Sequence, residues 1–259
     1  TRRRRRMSRD KAKRGVLSLL ALLCVVVGWV YWSEKSGLLP SLGEVAAATP
    51  DFFSDPDVYA GVWATLHRVV ISVLIALALG LLAAVLSKRG GLAGKVVDVY
   101  VSLAVAVPST VAALIALFIF KRSEIGVYVV VTLVIWPFMV MTLRGGLQMM
   151  DRKLDDMASV YRMSRSRRLT RVVVPQIVPY LFAAARSENA HAWRVVVLAE
   201  VFAINSGMGA MFTRAYDRFL LEEVVLWIIT FMVILLVIEY AILRPLEGYF
   251  MRWRFSDVP

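Results

Sequence analysis

The chain has 259 residues, of which 59% are hydrophobic, and its mean hydropathy is +0.67. A water-soluble domain cannot bury that much apolar surface, so the composition excludes a soluble globular protein and indicates an integral membrane protein. Lys and Arg outnumber Asp and Glu by 31 to 19. Because the basic residues cluster at the ends of apolar runs, they indicate membrane topology and no nucleic-acid partner is expected.

Six apolar stretches are predicted to cross the membrane, since about 20 residues span the roughly 30 Å hydrocarbon layer. Four of them contain no charged residue, a fifth contains Glu239, and a sixth has four ionisable residues in its middle. In chain order the predicted spans are 16–32, 69–86, 99–120, 125–143, 177–205 and 224–243. In the second, Ala76, Gly80 and Ala84 form a row of small residues that predicts close helix packing.

Positive charge predicts the orientation, because cytoplasmic loops accumulate Lys and Arg. Nine basic residues precede the first span, whereas the loop 33–59 contains one lysine against five acidic residues. We therefore expect a cytoplasmic N-terminus, a periplasmic loop 33–59 and a cytoplasmic loop 144–175. The C-terminus, with Arg252 and Arg254, is expected in the cytoplasm, and Lys121 and Arg122 are exceptions in a short periplasmic loop.

The loop 151–175 has a helical pattern of its own. Asp151 can cap a helix with one apolar face, and Pro175 is expected to end a second, basic helix. The apolar face of the first helix consists of Leu154, Met157, Ala158 and Tyr161. Such a pair of helices can rest on the bilayer or dock a partner, and the periodicity favours neither.

The spacing of this loop resembles the EAA-type loop of ABC importer permeases, which reads EAA, three residues, Gly, nine residues and Ile-x-Leu-Pro. The matching letters are DMA at 156–158, YRMS at 161–164 and VVVP at 172–175. The nitrate, taurine and alkanesulfonate branch is similar in further motifs. These are Arg68, VP at 107–108, PY at 179–180, Arg186, AW at 192–193, AE at 199–200 and NSGMG at 205–209. The resemblance as a whole covers residues 45–254.

Several positions depart from the pattern of the family. Arg162 stands where the family has glycine, and since a positive φ favours glycine, we expect a different turn there. At the positions of Glu188, His191 and Arg194 the family usually has small or apolar residues. These three residues are therefore expected to give this protein a substrate different from that of its relatives. Milder changes are Asp156 for Glu, Met157 for Ala, Ala113-Leu114 for a second proline and Phe120-Lys121 for Phe-Gly.

The resemblance implies an all-α polytopic membrane protein with six transmembrane helices and the type I ABC importer permease fold. The implied parts are a basic cytoplasmic tail at 1–14, a first helix with its periplasmic loop at 15–59, a permease core at 60–254 and a tail at 255–259. It also implies the bacterial inner membrane and three kinds of protein partner: two ABC ATPase subunits, a second permease copy and a periplasmic solute-binding protein. A homodimer is expected, while a heterodimer stays open.

The implied function is a permease subunit of an ATP-driven importer for a small anionic solute, and the chain itself is not expected to be an enzyme. The sequence contains no G-x-x-x-x-G-K-[ST] phosphate loop, so ATP and Mg²⁺ are expected on the partner ATPase and no cofactor on this chain. The residues expected to couple the permease to the ATPase are Asp156, Met157, Ala158, Tyr161, Arg162, Ser164 and Pro175.

The charges within span 177–205 need partners, because an unpaired charge at mid-bilayer costs about 2.5–3.5 kcal/mol or more. By helical spacing, one face carries Arg186, Trp193 and Glu200, and an adjacent face carries Ser187, His191 and Arg194. Predicted translocation-pathway residues are Arg186, Glu188, His191, Trp193, Arg194 and Glu200. The alternative is that these groups form structural pairs, Glu188 with His191 at i, i+3 among them.

Residues after this span form a glycine-containing turn, either a periplasmic gate or docking site or merely a helix end. They are Asn205, Ser206, Gly207 and Gly209. No metal site is predicted. Two other functions compete with the importer: a proton-coupled secondary carrier that uses Glu188, His191 and Arg194 as a relay, and a membrane scaffold. The EAA-like spacing favours the importer.

Overall fold

The structure is a computed structural model that describes residues 20, 23–24, 26–35, 39–120 and 123–251. The predicted tails at 1–14 and 255–259 lie outside the described residues, as do Lys121, Arg122, Arg252 and Arg254. The first predicted span, 16–32, lies partly outside them, and residues 26–35 are helical.

The chain between residues 42 and 250 is organised in helices that we number in order. They are α1 (Leu42–Ser54), α2 (Pro56–Arg89), α3 (Gly91–Ala106), α4 (Ser109–Ile119), α5 (Glu124–Gln148), α6 (Arg152–Val160), α7 (Arg165–Arg168), α8 (Val174–Ala203), α9 (Met208–Asp217), α10 (Leu221–Val237) and α11 (Arg244–Phe250). Two π-helical segments, Leu169–Val173 and Ile238–Leu243, lead directly into α8 and α11.

The residue contacts divide the chain into two units, the first of which comprises 1–55 and 215–228. In this unit Ser41 caps α1: its hydroxyl accepts from the backbone N of Glu44, whose carboxylate accepts from the backbone N of Ser41 at 2.7 Å. The rings of Phe52 and Trp227 meet edge-on, with their centroids 5.0 Å apart.

The second unit comprises 56–214 and 229–259, and in it α2, α5 and α8 pack most extensively on one another. The predicted packing role of the row of small residues on α2 is confirmed. Ala76 and Ala84 are fully buried, and a Cβ on Gly80 would lie 3.0 Å from Cβ of Met139 on α5. A larger residue at position 80 would therefore push the two helices apart.

By length and composition, three helical stretches can each cross a membrane: Pro56–Arg89, Glu124–Gln148 and Leu221–Phe250. Two bent pairs also qualify, α3 with α4 at an angle of 102° and the helix ending at Ala203 with α9 at 53°. Within the described residues this gives up to five spans if each pair counts as one. The chain is a multi-pass membrane protein, and its count of six spans stays a prediction.

The third predicted span, 99–120, is not one straight helix, because the chain bends between α3 and α4. At the bend Val107 is extended, with ψ of 129°. The residue before a proline avoids the helical region, and the ring of Pro108 supplies no N–H. The pair at 107–108 therefore divides the apolar stretch in two.

The prediction that Pro175 ends a helix is wrong, because the chain is helical without a break from Arg165 to Ala203. Pro175 is the second residue of α8 and lies inside this continuous helix, where its ring supplies no N–H. Just before it the chain is π-helical, and the backbone N of Val174 donates to the carbonyl of Leu169. This wider turn carries the helix past the proline ring.

Candidate functional site

The segment 151–176 forms a helical hairpin, which we call the α6–α7 hairpin. Asp151 caps α6 as predicted, since its Oδ1 accepts from the backbone N of Lys153 at 2.8 Å. At the other end, the backbone N of Met163 donates to the Ala158 carbonyl at 3.0 Å. This bond and the one from Arg162 N to the Ser159 carbonyl close a Schellman motif.

Arg162 occupies the left-handed position of that motif, with φ of 47°. The expectation that arginine resists a positive φ here is therefore wrong, because the backbone takes the conformation that glycine favours. A non-glycine residue in this region carries a cost of roughly 1–2 kcal/mol. The two backbone bonds and the packing of Ala158, whose exposed fraction is 1%, hold the turn in place.

Two contacts that sequence analysis did not single out fasten α6 to the rest of the hairpin. The guanidinium of Arg168 donates to both carboxylate oxygens of Asp155, at 2.8 and 2.5 Å. This hydrogen-bonded pairing holds the pKa of Asp155 below its ordinary value. The side chain of Gln176 accepts from the backbone N of Asp151 at 2.8 Å, which joins the start of α6 to α8.

The predicted coupling residues differ in how much of each side chain is exposed. Ala158 is buried, whereas Asp156, Met157 and Tyr161 are exposed, and Tyr161 has an exposed fraction of 74%. Ser164 caps α7 through its hydroxyl, which accepts from the backbone N of Arg167. The exposed side of α6 thus presents apolar side chains to a partner or a bilayer, and the coupling role of these residues stays a prediction.

The helix α8 has the two faces that its sequence indicated. On the first face, Trp193 and Glu200 are buried, with exposed fractions of 2% and 0%. Arg186 on the same face donates from Nε to Glu239 at 2.6 Å and from Nη1 to Glu247 at 3.2 Å. The protein itself therefore supplies the partners of these charges, and their role in the pathway stays a prediction.

The second face of α8 lines a cavity of about 460 Å³. Nδ1 of His191 lies 3.0 Å from Oε2 of Glu188, so the predicted i, i+3 pair is confirmed. Arg194 is exposed and donates from Nε to the Ala190 carbonyl at 3.2 Å. The cavity walls are Ser109, Thr110, Phe138, Ser187, Glu188, His191, Arg194, Val195 and Leu198. This cavity combines hydroxyl groups, two basic side chains and one carboxylate.

An ion network joins the first half of α2 to the start of α5 and the end of α8. Its centre is Arg68, whose exposed fraction is 2%. Nη1 donates to Glu200 at 2.6 Å and to the Ser206 carbonyl at 3.1 Å, and Nη2 donates to the Ser206 hydroxyl at 2.7 Å. Nε and Nη2 both donate to the carboxylate of Glu124, at 3.1 and 2.8 Å.

The segment 204–209, which contains the predicted gate residues, is built onto this network. Glu200 accepts from the hydroxyl of Thr65 at 2.8 Å and from the backbone N of Gly209 at 2.9 Å. Gly207 has φ of 99°, and a Cβ there would collide with the Glu200 carboxylate. The geometry thus places Gly207 and Gly209 against Glu200 and Ser206 against Arg68, while the Asn205 carbonyl accepts from Arg214.

A second cavity, of about 560 Å³, adjoins the network and is lined by Glu124 and residues 201–206. Sequence analysis noted Arg68 as a family position but missed Glu124, which lies 56 residues further along the chain. Among the residues that the structure describes, no group of three or more His, Cys, Asp or Glu side chains is placed to hold a metal ion.

Known proteins share this architecture. The nitrate import permease protein NrtB of Synechococcus elongatus is 28% identical over 59% of this chain and 55% of its own length. The bicarbonate transport system permease protein CmpB of the same organism is 27% identical over 44% of this chain and 42% of its length, so this chain spans about half of either relative.

Among solved structures, a chain of the MetNI methionine ABC transporter in inward-facing conformations matches with a TM-score of 0.58. It is 17% identical, and the match covers 74% of this chain and 94% of that chain, which shows a shared fold. Residues 76–246 match the model of the family described as binding-protein-dependent transport system inner membrane component. The chain belongs to this family of inner membrane components and has the type I ABC importer permease fold.

Proposed function

We propose that this chain is the permease subunit of an ATP-driven importer and carries a small anionic solute across the bacterial inner membrane. The α6–α7 hairpin is the observation that carries the proposal. Residues 156–175, which hold the family spacing, form a discrete helix and turn with an exposed apolar side. A docking helix for a separate ATPase needs that combination of fixed shape and available surface.

The hairpin is the element through which ATP drives transport. Val160, with an exposed fraction of 80%, and Tyr161 offer apolar contacts, while the bonds of Asp155 and Asp151 keep α6 attached to α7 and α8. Two ATPase subunits, which carry ATP and Mg²⁺, pull on this hairpin as they close. Because α8 continues from the hairpin without a break, the pull passes directly to the transmembrane part.

The orientation follows from the charges. The hairpin faces the cytoplasm, and the segment 204–209, at the other end of α8, faces the periplasm. A periplasmic binding protein delivers the solute to that end, and two permease copies enclose the route between them.

The cavity beside His191 and Arg194 is the part of that route that favours an anion. Its lining includes the Glu188 carboxylate, which pairs with His191, and the hydroxyls of Ser109 and Ser187. These hydroxyls and the guanidinium of Arg194 are donors that suit oxygen atoms carrying negative charge. The relatives named for nitrate and bicarbonate support a small anion as the solute.

A substitution on α6 tests the proposal. The tagged chain is expressed with the products of its neighbouring genes, purified from membranes, and assayed for a stoichiometric ABC ATPase and for ATP hydrolysis. Val160→Asp places a charge on the exposed apolar side of α6 and is expected to remove the ATPase. The matched control is Ser166→Asp on the exposed side of α7, which is expected to retain it. If no ATPase accompanies the unaltered chain, the proposal fails.

One observation favours a second candidate function. The pair of Glu188 and His191 lines a cavity, and such a pair can carry a proton in a secondary carrier. Liposomes that contain this chain alone and receive a proton gradient without ATP separate the two functions. Uptake under those conditions supports the carrier, and uptake that needs ATP and the ATPase supports the importer.

A further inference from the structure

The two carboxylates bound by Arg68 differ in how firmly they are held. Glu200 has an exposed fraction of 0% and accepts from Arg68, Thr65 and the backbone of Gly209. Glu124 has an exposed fraction of 54% and accepts from Arg68 and Ser206. It is also the first residue of α5, where the side chain can turn toward the second cavity. Glu200 is therefore enclosed, whereas Glu124 is half exposed and borders a cavity into which its side chain can turn.

The guanidinium of Arg68 keeps its place when Glu124 leaves. Nη1 stays bonded to Glu200 and to the carbonyl of Ser206, and Glu200 has no room to move because Gly207 packs directly on its carboxylate. The other edge of the guanidinium, Nε and Nη2, then presents two parallel N–H donors. An arginine edge fixed in this way is preorganised for a ligand with two coplanar oxygens.

Glu124 shows which ligand fits that edge. Its two oxygens accept from Nε and Nη2, and its Oε1 also accepts from the Ser206 hydroxyl at 2.9 Å. A planar oxyanion with a single negative charge, such as nitrate, bicarbonate or a carboxylate group, offers the same arrangement of oxygens. The adjoining cavity of about 560 Å³ has space for the displaced side chain and for the body of a solute.

We propose that Arg68 and Ser206 form a binding site for a monovalent planar oxyanion, which the Glu124 carboxylate fills when the ligand is absent. The exchange replaces one negative charge by another, so the balance of one arginine against two carboxylates is kept. A dianion such as sulfate would add a charge beside buried Glu200. Chloride offers a single acceptor atom where the Glu124 carboxylate offers two coplanar oxygens, so it matches the two-donor edge less well. The inference rests on the proposed function only in that the solute is an anion.

Isothermal titration calorimetry of sodium nitrate with the full chain in lipid nanodiscs tests this site. The ionic strength is kept constant with sodium chloride, which is also the comparison anion. Glu124→Ala removes the occupant, so nitrate and formate are expected to bind about tenfold or more tightly than to the unaltered chain. Sulfate is expected to show no such gain. The double variant Arg68→Lys with Glu124→Ala keeps the charge but loses the two-donor edge, and the gain is expected to disappear.

Equal nitrate affinity in the Glu124→Ala variant and the unaltered chain would overturn the proposal, as would equal gains for nitrate, sulfate and chloride. Glu124→Gln, which keeps the shape and removes the charge, is the second variant, with a smaller gain expected. Failure of both variants to fold would make Glu124 a structural partner and also overturn the site. The calorimetry uses this chain without an ATPase, so its result does not depend on ATP coupling. The proposed importer function and the proposed anion site can therefore be disproved separately.

Discussion

The two ends of the second unit hold their charges in opposite ways. Around Arg68 the guanidinium and the carboxylate of Glu200 are buried and bonded to each other, and Glu200 holds the segment 204–209 through the backbone N of Gly209. In the α6–α7 hairpin the pair of Asp155 and Arg168 is nearly half exposed on both sides. Breaking a buried pair leaves an uncompensated charge, whereas an exposed pair contributes little to the free energy of unfolding. The first end is fixed by electrostatics and the second by backbone bonds and packing.

Loss of the buried carboxylate gives the largest expected effect. Glu200→Ala leaves Arg68, Thr65 and the backbone N of Gly209 without their acceptor, so unfolding should become easier by about 3–5 kcal/mol. Thermal unfolding in detergent measures the change. The control is Glu124→Ala, whose half-exposed side chain leaves a water-accessible donor edge and should cost less than a third as much. Equal losses would contradict the difference between the two carboxylates.

A methyl group at Gly207 tests how tightly the same end is packed. Gly207→Ala forces a residue with φ of 99° against the Glu200 carboxylate, and a loss of about 2–3 kcal/mol is expected in the unfolding free energy. Gly145 in α5 is the matched control, because a Cβ there would meet no atom within 4 Å. Gly145→Ala should stabilise the helix by about 0.5–1 kcal/mol. A tolerated alanine at 207 would mean that the segment is loose.

At the hairpin end, a glycine should stabilise the protein. Arg162→Gly removes the cost of a left-handed arginine, and a gain of about 1 kcal/mol is expected in the unfolding free energy. Lys153→Gly, within exposed α6, should instead lose about 1 kcal/mol, since glycine is a poor helix residue. If Arg162→Gly destabilises the chain, its side chain has a bonding role that outweighs the backbone cost.

The smallest effect is expected at the exposed pair. Asp155→Asn should change the unfolding free energy by about 0.2–1 kcal/mol. Because the pKa of Asp155 is lowered in the folded chain by its hydrogen bond to Arg168, the contribution is present above the ordinary carboxyl pKa of 3.8. It is lost as the pH falls through the lower folded pKa. Unfolding midpoints of the unaltered chain and the Asn variant, measured at a series of falling pH values, should approach each other once the pH is below the ordinary carboxyl pKa.

Features that depend on short spacings within one helix were predicted from the sequence. The cap at Asp151, the row of Ala76 and Gly80, and the pair of Glu188 with His191 all depend on spacings within a few turns of one helix. The bend at 107–108 could also have been predicted, since the residue before a proline avoids the helical region.

The Arg68 network could not be predicted, because its partners lie 56, 132 and 138 residues away along the chain. Sequence analysis named Arg68 only as a family position and began the predicted span at residue 69, whereas α2 begins at Pro56 and carries this arginine into the buried part. Its charge is tolerated there only because Glu124 and Glu200 arrive from α5 and α8. Tertiary contacts of that kind leave no periodic signal in a single sequence.

Cross-linking from the hairpin tests the central proposal most directly, namely that an ATPase docks on α6. Cys24 is the one cysteine of the sequence, so Cys24→Ser gives a background in which Y161C on the hairpin and N205C beside the Arg68 network carry single thiols. In the purified complex, Y161C is expected to cross-link to the ATPase with a yield that changes when ATP is added, and N205C is expected to give no such product. A product from N205C and none from Y161C would contradict the account.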